Sequence, residues 1–232
     1  MERLIELDRT LLLWMNGSEC LWLDEVMWAF SDTWTWLPLL LTLAFIVWRR
    51  QGLRYFLVFA LAVAVCIALA DQISSTWLKP LFQRFRPTHD PVLGALVDIV
   101  HEYRGGRYGF VSSHAANTFG VWCLVSRVFR SKTLALGLLS WAGLASYSRI
   151  YLGVHFPGDI LGGVLLGLLV GGLCYAGFRF LSAKSWMTCG AGSRKEASCG
   201  FTPSDVHILL GVLGVTYIGV CLKAVFTVVF FA

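Results

Sequence analysis

The chain of 232 residues is 57% hydrophobic and only 14% charged, with 19 basic and 14 acidic residues giving a formal net charge of +5, and its mean hydropathy is +0.68. Soluble domains carry about 25% charged residues, so composition excludes an ordinary soluble globular domain. The basic excess is assigned to membrane orientation, and nucleic acid is set aside as a partner.

A helix needs roughly 20 mostly apolar residues to cross a bilayer's hydrocarbon core. In chain order, residues 1–34 come first as an N-terminal segment. Leu4, Ile5, Leu11, Leu12 and Trp14 form one apolar stripe beside Glu6 and Arg9, followed by alternating Trp and acidic residues, which suits a helix lying in the interface. The acidic start shows no basic region followed by a small-residue cleavage site, so no cleavable signal is expected. Six spans follow, at Trp36–Trp48 with its flanks, Tyr55–Ala70, Phe110–Val128, Leu134–Leu152, Ile160–Leu181 and Val206–Phe231. The expected fold is all-α, a polytopic six-helix membrane bundle formed as a single domain over residues 1–232.

Cytoplasmic connections are enriched in Lys and Arg. Arg49, Arg50 and Arg54 follow the first span, Arg127, Arg130 and Lys132 the third, and Arg179, Lys184, Arg194 and Lys195 the fifth. These connections belong on the cytoplasmic side. The outer face then receives the N-terminal segment, the loop near residues 72–109, the turn at 150–158 and the C-terminus. Of the acidic residues, all but Glu196 and Asp205 fall near that face.

Gly163, Gly167 and Gly171 repeat at four-residue spacing in the fifth span, a stripe that permits close helix approach within the bundle. Of seven cysteines, Cys66, Cys123, Cys174 and Cys221 lie in spans as small apolar fillers, Cys189 and Cys199 share a polar loop, and Cys20 stands apart. Their spacing fits neither a zinc site nor a disulfide framework.

Ionisable residues at membrane depth are costly and mark function when they cluster. Three clusters fall on the outer face, which was assigned from the cytoplasmic loops alone. KPLFQRFRP leaves the second span with Lys79, Arg84 and Arg86; FVSSHAAN opens the third with Ser112, Ser113 and His114; SRIYLGVHFPGD joins the fourth and fifth with Arg149, His155 and Asp159. Ser112 suits an N-cap, which turns the free N–H groups of a helix start toward the site. Lys79, Arg86 and Arg149, with the helix start at Ser112 and Ser113, make a cage for a phosphoryl group, for which arginine's planar fork is suited. Two histidines allow one to attack phosphorus while the other protonates the departing oxygen. Asp159 lies one helical turn beyond His155, where it can accept the second imidazole N–H. No cluster offers the carboxylate-rich set that magnesium wants, so no metal or cofactor is expected. Arg84, Arg104 and Arg107 read as exposed charges, and His89, His101 and His207 as structural or solvated.

These residues resemble a known family. KPLFQRFRP matches K-x6-R-P, SRIYLGVHFPGD matches S-R-x5-H-x3-D, and VSSH is similar to P-S-G-H. Together they resemble the three signatures of the type 2 phosphatidic acid phosphatase family, whose fold is shared with vanadium haloperoxidases. The core of the resemblance covers Trp77–Asp159, so the catalytic motifs occupy residues 77–159. It implies that His155 forms a phosphohistidine with Asp159 orienting it, and that His114 is general acid and then base. It also implies that Lys79, Arg86, Ser112 and Arg149 bind phosphate. The glycine position, here Ser113, acts in the family mainly through its backbone N–H. Two departures, Val111 for proline and Ser113 for glycine, bear on substrate choice more than on catalysis.

The resemblance implies a lipid phosphatase of the bacterial inner membrane with its site facing the periplasm. A lipid A (lipopolysaccharide) phosphatase is the leading expectation, with undecaprenyl pyrophosphate or phosphatidylglycerophosphate as alternative substrates. Two other classes share parts of the pattern: a vanadate-dependent haloperoxidase and a non-catalytic anion-binding membrane protein or transporter. Bromide oxidation with peroxide and vanadate would mark the first; lipid dephosphorylation by the pure protein would exclude the second.

Overall fold

The computed structural model describes residues 2–183 and 200–231. The polar loop holding Lys184, Cys189, Arg194, Lys195, Glu196 and Cys199 lies outside the described residues. Among the described residues the chain is helical, with one isolated bridge between Phe85 and Tyr108 in place of any sheet. The helices are α1 (Glu2–Met15), α2 (Leu21–Ser31), α3 (Leu37–Gln51), α4 (Leu53–Gln72), α5 (Lys79–Phe82), α6 (Ser113–Phe129), α7 (Lys132–Tyr151), α8 (Pro157–Ser182) and α9 (Pro203–Phe231).

Local chemistry sets the breaks. The Asp32 carboxylate accepts from the Trp34 N–H, and the chain bends by 70° between Leu21–Ser31 and Thr33–Gln51. Gly52, at a φ of +83°, ends α3 with its N–H on the Trp48 carbonyl, a conformation that only glycine adopts freely. Ser131 caps α7 by accepting from Leu134 N–H at 3.3 Å.

Helix α6 is the hub, packed against α4, α7 and α8. The glycine stripe of α8 faces it. A Cβ on Gly167 would stand 2.5 Å from the Ala116 carbonyl and 2.9 Å from the Gly120 N, so only glycine permits this approach. On the opposite face of α8, Leu161, Leu165, Leu169 and Leu173 are exposed at four-residue spacing, where a soluble helix would carry polar groups.

Three helical stretches are long and apolar enough to cross a bilayer, Leu53–Phe82, Pro157–Ser182 and Pro203–Phe230, and the bent pair ending at Gln51 makes a fourth if it is one span. The chain is a membrane protein. Helices α6 and α7 coincide with the third and fourth expected spans but fall outside that test. Helix α2 buries Val26, Ala29 and Phe30 in the main core and packs on α7 and α9. Helix α1 seats only Leu12 fully, in a small cluster with Leu93, Val97, Ile150 and Phe156 beneath the loop that joins α5 to α6.

Candidate active site

The motif residues gather at one end of the bundle, where α4–α5 and α7 finish and α6 and α8 begin. Beyond Gln72 the helix widens over Ile73–Leu78 into a π turn. Such a turn re-aims the side chains that follow it and is often found at functional sites. Here it brings buried Ser74 and half-buried Ser75 onto Ser113, at 2.7 and 3.1 Å between hydroxyl oxygens. The Lys79 ammonium donates to Ser113 Oγ at 2.7 Å. The hydroxyl that replaces the family's usual glycine therefore holds the lysine. What Ser113 leaves free at the helix start is its backbone N–H.

Gln83, in the left-handed region at φ 45°, ends the helix with its N–H on the Lys79 carbonyl. The chain then runs extended, and the outer loop folds back along it. Arg86 N–H donates to the Arg107 carbonyl at 3.0 Å, and Gly109 N–H to the Arg84 carbonyl at 2.8 Å. This pairing points Arg86 inward. Its Nε donates to the Tyr108 carbonyl at 3.2 Å and its Nη1 to the Val154 carbonyl at 3.3 Å.

Helix α6 starts against α8. Ser112 is fully buried, its N–H donates to the Asp159 carbonyl at 3.0 Å, and its hydroxyl caps the helix toward the Ala115 N–H. His114 sits in the first turn, where Nε2 donates to the Ser31 carbonyl at 3.1 Å, a bond from the end of α2. A cavity of about 160 Å³ opens beside it, lined by Phe30, Trp36, Ile67, Val121 and Trp141.

The loop between α7 and α8 carries the third motif. His155 N–H and Val154 N–H both reach back to the Arg149 carbonyl. His155 is buried, with Nδ1 3.4 Å from Asp159 Oδ2 and Nε2 3.2 Å from Arg86 Nη1. A carboxylate only accepts and a guanidinium only donates, so Nδ1 carries the proton and Nε2 the lone pair. Asp159, fully buried, also accepts the Phe156 N–H on Oδ2 at 3.0 Å. Arg149 is buried at 4% exposure, and its Nη2 meets the Tyr103 hydroxyl at 3.3 Å. Its Nε is buried with no partner among the described residues, which is rare for a buried donor.

Burial, then the charges of Arg86, Arg149 and Lys79, hold the His155 imidazole well below its ordinary range. The same three cations act on His114. The two histidines thus share one electrostatic environment at one end of the protein.

One residue departs from its sequence reading. Arg84, expected as an exposed charge, donates from Nη1 to Asp159 Oδ1 at 2.8 Å and pairs through Nη2 with Asp8 of α1. Its guanidinium lies 4.3 Å over the Phe156 ring. Asp8 also accepts the Gly158 N–H at 2.8 Å. Neither contact shows in the sequence, because Asp8 lies 150 residues from Gly158. The Arg–x–Arg spacing, which sends alternate side chains of an extended segment to one side, was the one available signal. Tyr103 was missed as well. Arg104 and Arg107 are exposed as expected, the latter stacked near Phe85 and Tyr108. His101 pairs with Glu25 at 2.9 Å, far from this chemistry in role. Among the described residues, no three His, Cys, Asp or Glu side chains gather closely enough to hold a metal ion.

Comparison with known proteins agrees with this geometry. Residues 51–182 match the model of the PAP2 superfamily. The chain is 36% identical over 207 residues to a lipid A 4'-phosphatase of Porphyromonas gingivalis, covering 89% of this chain and 84% of that one. It is 37% identical over 175 residues to a lipid A 4'-phosphatase of Bacteroides thetaiotaomicron, covering 75% and 78%. A transmembrane PAP2 type phosphatidylglycerolphosphate phosphatase from Bacillus subtilis has a similar fold, with a TM-score of 0.60 and 22% identity over 80% of this chain and 90% of that one. Fold, motif geometry and sequence agree: the chain belongs to the PAP2 superfamily, and it is a phosphatase acting on a lipid phosphate.

Proposed function

We propose that this protein is a lipid A 4'-phosphatase that works through a phosphohistidine on His155. The observation that carries the chemistry is the double constraint on His155, whose Nδ1 faces Asp159 and whose Nε2 lone pair faces the cations. The buried Nε of Arg149, unpartnered among the described residues, belongs to a cation whose charge acts on His155, which supports a phosphoryl oxygen as its partner. In the first step the Nε2 lone pair attacks phosphorus. The bond to the ester oxygen breaks, and that oxygen takes a proton from His114. In the second step a water gives a proton to His114 and attacks phosphorus, the P–N bond breaks, and inorganic phosphate leaves with His155 again neutral. Lys79, Arg86, Arg149 and the N–H groups at the start of α6 stabilise the charge that develops on the phosphoryl oxygens. Asp159 stabilises the imidazolium formed during attack.

The substrate reading is supported by two relatives named lipid A 4'-phosphatase that align over most of both chains. The apolar cavity beside His114 supports a leaving group with an alkyl chain, because His114 stands where the leaving oxygen is protonated. The same reading takes the chain as one six-span domain in the bacterial inner membrane with the site on the periplasmic face. Arg49, Arg50, Arg54, Arg127, Arg130, Lys132 and Arg179 all lie at helix ends opposite the motif residues, which supports that orientation. Leu4, Leu7, Leu11 and Trp14 lie exposed along one face of α1, which supports an interfacial seat for it.

Phosphate release by the purified protein, assayed side by side on lipid A bisphosphate, phosphatidylglycerophosphate and undecaprenyl pyrophosphate, tests this reading. Preference for lipid A with loss of the 4'-phosphate is expected; preference for another lipid, or loss of the 1-phosphate, would overturn the substrate. Full activity of His155→Ala would overturn the mechanism.

A further inference from the structure

Asp8 and Arg84 touch no part of the phosphate cage, yet together they close a chain of contacts that ends on Asp159. A fully buried carboxylate is costly to keep charged without a counter-charge, and once protonated it accepts a hydrogen bond poorly. The cations of the cage cannot serve this purpose throughout a turnover, because an arriving phosphoryl dianion takes up their charge. Arg84 differs in direction. It meets Asp159 on Oδ1, while Oδ2 serves Phe156 N–H and His155 Nδ1.

Arg84 is itself held on three sides. Nη1 meets Asp159, Nη2 meets Asp8, and the guanidinium plane lies over Phe156. Asp8 uses its other oxygen to accept the Gly158 N–H in the first turn of α8. A Cβ at Gly158 would lie 2.8 Å from Asp8 Oδ2 and 3.3 Å from Arg84 Nη1, so glycine leaves the space that this bridge fills. Helix α1 is anchored beside it by buried Leu12 and by Arg9, which pairs with Asp90 at 3.1 Å.

We propose that Arg84 and Asp8 are positioning residues for the nucleophile: through Asp159 they keep His155 in the Nδ1–H form, which makes helix α1 a working part of the active site. This rests on the reading of His155 as the nucleophile. Arg84 supplies the charge that keeps Asp159 an acceptor, and Asp8 fixes the angle of the guanidinium while tying α1 to the helix that carries Asp159.

The test uses the full chain, purified in detergent, with kcat and KM for lipid phosphate release measured for Arg84→Ala, Arg84→Lys and Asp8→Asn, alone and with Asp159→Asn. Partners that orient a metal-bound histidine from behind are worth about 10- to 100-fold, and by analogy Arg84→Ala should lower kcat by about that range with KM changed by less than about threefold. Asp8→Asn should lose less, and Arg84→Lys should retain part of the activity. Added methylguanidine should restore some kcat to Arg84→Ala, which a merely misfolded variant would not show. In the Asp159→Asn background the further loss from Arg84→Ala should shrink to under about twofold, because the residues act as one unit. Wild-type kcat in Arg84→Ala, an equal fractional loss with and without Asp159, or a loss confined to KM would each overturn the proposal; the last would make Arg84 a substrate ligand. If Arg84→Ala does not remain monodisperse, Arg84→Lys and Asp8→Asn carry the same comparison. None of these results bears on the phosphohistidine reading, which falls only if the wild type forms no phosphoenzyme or His155→Ala stays active.

Discussion

The Lys79 ammonium donates to the Ser113 hydroxyl at 2.7 Å, across 34 residues of sequence. The contact joins the end of the α4–α5 span to the start of α6, and it places a cation beside the helix start through a residue where the family has glycine. A hydrogen bond to a charged group contributes about 1.5–3 kcal/mol, and a neutral one about 1.

Ser113→Gly should therefore weaken the tether without removing the backbone N–H. A loss of about 1.5 kcal/mol, the low end for a bond to a charged group, corresponds to roughly tenfold in kcat/KM. Steady-state phosphate release by the purified variant checks this, and an unchanged or raised kcat/KM would show that the hydroxyl does not position Lys79.

The nucleophile should resist acid. His155 is held well below its ordinary range by burial and by the neighbouring cations, so it stays neutral as pH falls through about 6.5, where a free imidazole titrates. As pH is lowered from 7.5 to 5.5, phosphoenzyme formation in a single turnover should not fall with a midpoint of about 6.5, since a neutral His155 can still attack and acid favours the proton that His114 gives in that step. Loss of the burst with a midpoint near the ordinary imidazole value would contradict this. The same shift has a stability sign: below that value the unfolded chain takes up a proton that the folded one refuses, so His155 contributes stability above it and loses this as pH falls.

Gly167 lies in the close contact of α8 with α6, with the Ala116 carbonyl 2.5 Å from a Cβ placed there. Gly167→Val should push the helices apart and separate the start of α6 from Asp159. Overpacking of this kind costs about 1–3 kcal/mol. The thermal midpoint in detergent and the activity should both fall. Gly177→Val, at a glycine with nothing near its would-be Cβ, is the matched control and should leave both in place.

At the far end of the bundle, Arg50 pairs with Asp205 at 2.9 Å and joins α3 to α9. Arg50 is 38% exposed there, so solvent screens the pair and its worth is at most about 1 kcal/mol. Arg50→Gln should shift the thermal midpoint slightly and leave kcat/KM within about twofold. A large loss of activity would mean that the two ends of the bundle are coupled.

Much of the fold was legible because membrane helices announce themselves locally: apolar length, glycine spacing and basic connections are read within a few turns. The expected spans at Tyr55–Ala70 and Ile160–Leu181 lie inside Leu53–Phe82 and Pro157–Ser182, and that at Val206–Phe231 lies inside α9, Pro203–Phe231. The continuation to Phe82 was not legible, because polar Ser74, Ser75 and Lys79 interrupt the apolar run, and their partner, the Ser113 hydroxyl, lies more than 30 residues away.

The sequence by itself determined which side chains are available for chemistry and that all three clusters reach the same end of the bundle, since motif spacing and span parity are properties of the chain in order. Tertiary structure alone decided which of those side chains meet. Arg84 finds Asp159 and Asp8, Ser113 turns to Lys79, and His114 reaches the Ser31 carbonyl. These contacts join residues that are 34 to 83 positions apart, and they depend on the reversal at Gln83 and on the glycine contact between α6 and α8. No local periodicity encodes either.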